Sequence, residues 1–222
     1  MQQLGVFAKY WEPGKVKTRL AATIGNQRAS SIYRSFVETL LKRLSRVGQR
    51  RVLAVAPPER MKDFSVVAGE AWSVEPQARG DLGTRMKHYF DTGFERSARC
   101  VVLMGSDSPD IPLAYVEQAF EMLEKFPVVL GPTSDGGYYL IAARDATPPV
   151  FDHIAWSTPS VWTDTIEQLD QAGLSYGQLP QWYDVDDLES LARMVENLRT
   201  MNQLDSELVK LKDRLCAEFD AE

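Results

Sequence analysis

Short apolar blocks alternate along the chain with stretches in which apolar residues recur at helical spacing. Leu4 to Ala8 reads as a first buried strand, and a polar loop from Lys9 to Arg19 follows it, broken by Pro13 and Gly14. From Arg28 to Val47, the residues Ile32, Phe36, Leu40, Leu44 and Val47 fall on one helical face, and Gly48 stops the run. Arg51 to Ala56 and Trp72 to Glu75 read as strands, Leu82 to Ser97 as a helix. Val101 to Met104 is a continuous apolar run of the kind found in central strands buried on both faces. Leu113 to Phe126 then repeats at helical spacing.

Strands are expected again at Val128 to Leu130, Tyr138 to Ala142 and Leu174 to Leu179. A helix with a hydroxyl cap and a proline start is predicted from Thr158-Pro159 to about Ala172. After Asp184-Val-Asp-Asp187 come one or two terminal helices, with Leu204, Leu208, Leu211 and Leu215 forming a stripe that packs on the domain. Strands alternating with helices imply an α/β fold: a mostly parallel sheet covered on both faces, three layers in α/β/α order. No internal repeat or Gly/Pro/Ser-rich linker divides the 222 residues, so residues 1–222 are read as one domain, with C-terminal helices from about residue 187.

Charge and composition narrow the partners. A formal net charge of -6 argues against general nucleic-acid affinity. No apolar stretch approaches a membrane span, and the N-terminus lacks the basic start and long apolar region of a signal peptide. Cys100 and Cys216 lie far apart and no zinc-type Cys/His spacing exists, which suggests a reduced, cytoplasmic protein. With only His88 and His153, both isolated, a histidine-based mechanism is not expected.

Against that acidic background, Glu12-Pro-Gly-Lys-Val-Lys-Thr-Arg-Leu20 is conspicuously basic. Lys15, Lys17 and Arg19, with Lys9 as a further candidate, offer mobile charges and a planar fork for phosphate oxygens. The loop follows strand one, at the sheet edge where open α/β folds bind ligands. The P-loop and Rossmann spacings are both absent. A second glycine-bearing loop, Gln77 to Met86, brings Gln77 and the amides from Gly80 to Gly83 within reach of a base or phosphate, although Asp81 serves equally well as a helix cap. Gly105-Ser-Asp-Ser-Pro109 ends the central strand. There Asp107 either caps a turn or holds a divalent cation, and Asp110 reads as a helix N-cap. In Thr133-Ser-Asp-Gly-Gly-Tyr-Tyr139, Asp135, Gly136 and Gly137 form either a tight turn or a backbone surface against a ligand. Of Asp184, Asp186 and Asp187, at least one is structural, since Asp186 with Glu189 resembles a capping arrangement. Another is available to complete the cation site begun by Asp107.

Taken in order, Pro-Gly-Lys-Val-Lys-Thr-Arg-Leu, Gly-Asp-Leu-Gly-Thr-Arg-Met, Gly-Ser-Asp-Ser-Pro, Asp-Gly-Gly-Tyr-Tyr, Trp156-Ser-Thr and Asp-Val-Asp-Asp-Leu span nearly the whole chain. They resemble the bacterial glycosyltransferase-A-like proteins labelled radical-SAM/selenodomain-associated transferase 1. That family is similar to nucleotide-diphospho-sugar transferases and to the guanylyltransferases of molybdenum-cofactor and deazaflavin biosynthesis. The sequence departs from it at Tyr10-Trp11-Glu12, where small or proline-containing residues are usual, and at Ser108, where cysteine is common.

The resemblance implies the nucleotide-diphospho-sugar transferase fold, a nucleotide on the first loop, and Mg²⁺ or Mn²⁺ held by Asp107, with Asp186 the closest positional match for a second ligand. The expected activity is metal-dependent nucleotidyl transfer from an NTP to a small phosphorylated or carboxylated acceptor, with Lys17 and Asp107 catalytic and Asp135, Gly136 and Gly137 on the acceptor side. The alternatives are glycosyl transfer from a nucleotide sugar and a non-catalytic nucleotide-binding accessory protein.

Overall fold

In the computed structural model, which describes residues 1–219, seven strands form one sheet in the order β3-β2-β1-β4-β6-β5-β7. These are β1 (Gln2–Lys9), β2 (Arg50–Ala56), β3 (Ser73–Pro76), β4 (Cys100–Met104), β5 (Val128–Pro132), β6 (Tyr138–Arg144) and β7 (Tyr176–Gln178). Alternate residues of an apolar block feed opposite faces of the sheet. Val102 and Met104 of β4 join one apolar cluster; Val101 and Leu103 join the other. The fold is therefore the expected mostly parallel, three-layer α/β/α arrangement.

β6 is the exception, pairing antiparallel with both β4 and β5. A parallel neighbour needs a crossover of a dozen or more residues, and the connection Thr133–Gly137 is far too short for one. The antiparallel strand has a functional consequence. It starts at the edge where β1 and β4 end, so its turn lies beside the Asp107 loop, and Gly105 N–H donates to Tyr139 O (3.2 Å).

One helical layer contains α2 (Asn26–Arg43), α3 (Met61–Ala68), α5 (Leu113–Met122), α7 (Leu188–Thr200) and α8 (Ser206–Phe219). The other contains α4 (Leu82–Glu95) and α6 (Val161–Gln171). The predicted α2 stripe is fully inside: Ile32, Phe36 and Leu40 are at most 1% exposed, each worth about 1.5–3 kcal/mol of burial. The stripe on α8 also packs on the domain, with Leu208, Leu211 and Leu215 buried. Among the described residues, no helix is long and apolar enough to cross a membrane.

Three expectations need correction. Residues Thr18–Ile24, the first two of them inside the predicted polar loop, form a helix, α1. The helix expected from Thr158 begins at Val161, because Thr158 Oγ1 donates to Ala155 O and leaves Ser160 at the cap position. Asp110 caps nothing: Pro112 precedes α5, and Asp110 is buried beneath the loop.

Candidate active site

Two acidic turns meet above β4. Val185 N–H donates to Asp107 O (2.9 Å), and Ser108 Oγ donates to Asp184 Oδ1 (2.7 Å). Beneath them the Tyr183 hydroxyl donates to Asp110 Oδ2, and Asn197 Nδ2 donates to the same Tyr183 oxygen (3.1 Å). Arg43, whose side chain is 4% exposed, donates from Nη1 to Pro109 O (2.7 Å) and Ile111 O (2.8 Å), and from Nε to Asp205 Oδ2 (2.7 Å). These contacts tie the two turns to each other and to the helices beneath them, which fixes where Asp107 and Asp186 stand. Asp187, rather than Asp186, is the cap: its carboxylate accepts from Ser190 N–H (2.9 Å) in a reciprocal capping box that starts α7.

The basic loop closes the site from the β1 side. Lys17 Nζ bridges Asp107 Oδ1 and Asp186 Oδ1, the latter at 2.9 Å, with only 3% of the lysine side chain exposed. Arg19 Nη2 reaches Asp186 Oδ2 (2.8 Å) from solvent, and Leu20 N–H donates to Asp186 O (3.0 Å). Burial works against the Lys17 charge, yet attraction to Asp107 and then Asp186 outweighs it and holds the ammonium's pKa above its ordinary value. Lys17 also adopts the left-handed backbone conformation (φ 47°, ψ 46°) at the N-cap of α1, with no side-chain cap, which costs a non-glycine residue about 1–2 kcal/mol.

The third carboxylate, Asp184, is held by the Ser108 hydroxyl instead of an ion pair. Loss of water and then the charge of Asp107 push the Asp184 carboxyl up to about 7, against the opposing hydrogen bond from Ser108. Tyr33 lies behind the site, its hydroxyl paired with Ser106 Oγ (2.7 Å) and accepting from Lys9 N–H (3.1 Å). Burial, and then Asp107, push that phenol up to about 12, so it stays protonated.

These groups open onto a cavity of about 830 Å³, a size that suits a nucleotide with a small second substrate. Lys9, Lys15, Lys17 and Arg19 line it, as do Asp107, Asp184 and Asp186. Gln77 also lines it, but its amide is committed: Nε2 donates to Ala8 O (3.3 Å) and Ala54 O (3.0 Å). Arg85, which the sequence reading did not single out, lies beside it, with Nε on Gly80 O (2.9 Å) and Nη1 on Gln77 Oε1 (3.3 Å). Asp81 is the N-cap of α4, accepting from Thr84 N–H (2.9 Å). Gly80 and Asp81 do not line the cavity wall.

Across the cleft, Asp135 Oδ1 accepts from Thr133 Oγ1 (2.5 Å) and Gly137 N–H (3.2 Å). Asp135 and Gly137 face the cavity. Gly136 instead abuts the start of α6: a Cβ there would lie 2.2 Å from Pro159 O, and Trp162 N–H donates to Gly136 O (2.8 Å). Trp156 and Tyr138 complete this wall with rings 6.4 Å apart, and Gly83 makes room for the indole, since a Cβ would sit 2.4 Å from Trp156 Nε1. Tyr33 and Arg85 are polar lining residues that the sequence did not point to, whereas Ser106 stood out as a flank of Asp107 and Asp184 as one of three clustered aspartates.

The chemistry of this donor set suits a hard divalent cation, because Asp107 and Asp186 present carboxylate oxygens around one cationic position. Among the described residues no three His, Cys, Asp or Glu side chains gather as a ready metal cage. A metal held by Asp107 and Asp186 would therefore fill its shell with phosphate and water oxygens, as Mg²⁺ commonly does.

Residues 39–158 match the profile of a family described as "Uncharacterized protein conserved in bacteria (DUF2064)". The chain belongs to the DUF2064 family. A crystal structure from Desulfovibrio desulfuricans G20, provisionally named a nucleotide-diphospho-sugar transferase, is 36% identical; the match covers 98% of this chain and 97% of that one, with a TM-score of 0.88. This DUF2064 member is also 28% identical over 137 residues to the 3-phospho-D-glycerate guanylyltransferase of Phenylobacterium zucineum (strain HLK1), covering 60% of this chain and 62% of that enzyme's length. A cytidylyltransferase from Leptospira borgpetersenii serovar Hardjo-bovis (strain JB197) shares the fold at 12% identity, with a TM-score of 0.56 over 99% of this chain and 95% of that one.

Proposed function

We propose that this chain is a nucleotidyltransferase that joins the nucleoside monophosphate of an NTP to a small phosphorylated or carboxylated acceptor and releases pyrophosphate. The observation that carries the reading is the meeting of the basic loop with both acidic turns at one mouth, where Lys17 bridges Asp107 and Asp186. The guanylyltransferase relative supports it and favours GTP as donor. The narrower likeness to radical-SAM/selenodomain-associated transferase 1, carried by the order of the loops, belongs with the same reading.

Each residue then has a task. Lys15 and Arg19, both exposed at the cavity mouth, take the outer phosphates, and Lys17 neutralises charge nearest the acidic turns. Asp107 and Asp186 would hold Mg²⁺ or Mn²⁺, which when bound withdraws charge from phosphate oxygens as the leaving pyrophosphate develops. Gln77 and Arg85 form the base side, with Gly80 O holding Arg85 Nε from outside the cavity wall. Asp135, Gly137 and the Trp156 wall form the acceptor side. Holding acceptor and α-phosphate in line beside fixed positive charge supplies most of the catalysis in such transfers.

A second reading, glycosyl transfer from a nucleotide sugar, is favoured by the name given to the 36% identical relative. The two separate in one experiment. Incubation with Mg²⁺, an NTP panel and small phosphorylated or carboxylated acids should release pyrophosphate; release of nucleoside diphosphate from a nucleotide-sugar panel, without pyrophosphate, would overturn the first reading in favour of the second.

A further inference from the structure

Lys17 stands where its charge serves the carboxylates, not where solvent would leave a phosphate-binding lysine. Its ammonium bridges Asp107 and Asp186, its side chain is 3% exposed, and the rings of Tyr33 and Phe36 lie 5.7 and 6.0 Å from Nζ. The neighbouring Lys15 and Arg19 are exposed. The chain has placed a buried cation, on a left-handed backbone residue, where it touches both acidic turns.

Resting on the transferase reading, we infer that Lys17 is the resting occupant of the cation position between Asp107 and Asp186, and that a divalent ion gains full access only when a triphosphate draws the Lys17 ammonium away.

Two physical constraints lead there. A divalent ion and an ammonium cannot share the same pair of carboxylate oxygens, because like charges at that separation repel strongly in a recessed site. Without a cation there, Asp107 would lose the ammonium beside its Oδ1, and Asp186 would keep only Arg19, which reaches it from solvent. Lysine suits the role better than arginine, being a point charge on a flexible four-carbon stem that can turn from carboxylate to phosphate without leaving the site. The triphosphate offers Lys17 a second anionic partner, so nucleotide and metal become positively coupled, each raising the other's affinity. The left-handed backbone at Lys17 is part of the same placement, since it lets the stem leave the start of α1 toward the acidic turns while Leu20 N–H holds Asp186 O.

The test is Mn²⁺ binding without nucleotide, followed by the paramagnetic signal of free Mn²⁺, in the wild-type chain, Lys17→Met and Lys17→Gly. Glycine accepts the left-handed conformation without strain, so it removes the side chain while easing the backbone. Thermal unfolding of each variant establishes that it is folded. The expected result is that both substitutions tighten Mn²⁺ binding about tenfold or more, and that adding Asp107→Asn to either erases the gain. Binding in the Lys17 variants that is no tighter than wild type overturns the inference, as does a gain that survives Asp107→Asn. Pyrophosphate release by the wild-type chain, measured in parallel with GTP and Mg²⁺, reports on the transferase reading separately: its presence with untightened Mn²⁺ binding removes only the role of Lys17.

Discussion

The two walls of the cleft use their aspartates differently. On the hairpin wall, Asp135 is satisfied within its own turn by Thr133 Oγ1 and Gly137 N–H. On the β4 wall, the side chains of Asp107 and Asp186 pair, among the described residues, with the cations Lys17 and Arg19. The same division runs inside each acidic stretch: Asp110 is held by the Tyr183 hydroxyl and Asp187 by Ser190, while Asp107 and Asp186 are turned toward the cavity. A carboxylate with a local donor shapes the chain. One whose partners are cations far along the sequence marks a place where charge can be exchanged.

The largest expected effect of breaking this division is at Asp107. Asp107→Asn keeps the shape but removes the charge, and should lower metal-dependent turnover by about a hundredfold or more, with the thermal midpoint lowered as well because buried Lys17 loses one of its two counter-ions. A turnover loss under about threefold, measured as pyrophosphate release, would make Asp107 a structural residue like Asp187.

Tyr183→Phe comes next and tests the structural member of the pair. It leaves buried Asp110 without its donor, a loss of about 1–3 kcal/mol, read as a lower midpoint in denaturant unfolding. The pH sign follows from Asp110, whose carboxyl is raised above its ordinary value by burial. A raised carboxylate contributes stability at low pH and loses it as pH rises through the folded-state pKa. Removing the hydroxyl raises that pKa further, so the gap between Tyr183→Phe and wild type should widen as pH increases. A gap that narrows would mean Asp110 is stabilised as the anion by another group.

Asp187→Ala should remove the α7 cap at a cost of about 1 kcal/mol, lowering the thermal midpoint by a few degrees with nucleotide affinity unchanged. If nucleotide affinity falls instead, Asp187 belongs with the site aspartates. The smallest effect on stability is expected at exposed Lys15: Lys15→Ala should weaken nucleotide binding severalfold, by fluorescence titration, without moving the thermal midpoint. Unchanged affinity would leave the phosphate role to Lys17 and Arg19 alone.

Much of the architecture was readable because the signals were local and strong. The four apolar residues of β4, the spaced stripe on α2 and the leucines of α8 each state their own burial. The order of the loops brought Lys15, Lys17, Arg19, Asp107 and Asp186 to one edge before any contact was known. What was not legible depends on pairing across the chain. Nothing in the sequence shows that Tyr183 reaches Asp110, so Asp110 reads as an ordinary cap. Lys17 and Arg19 make the start of α1 look like a solvated loop, because their partners lie far along the sequence. The direction of β6 was within reach: five residues between Pro132 and Tyr138 allow a hairpin and no crossover.

The central claim is that Asp107 and Asp186 hold one divalent cation for a bound nucleotide. It is tested most directly by calorimetric titration of Mn²⁺ into the chain with GTP present, comparing wild type with Asp107→Asn and Asp186→Asn. The account predicts one tight Mn²⁺ site in wild type, lost in Asp107→Asn and weakened less in Asp186→Asn, whose amide oxygen still offers a ligand. Wild-type Mn²⁺ affinity in Asp107→Asn would contradict it.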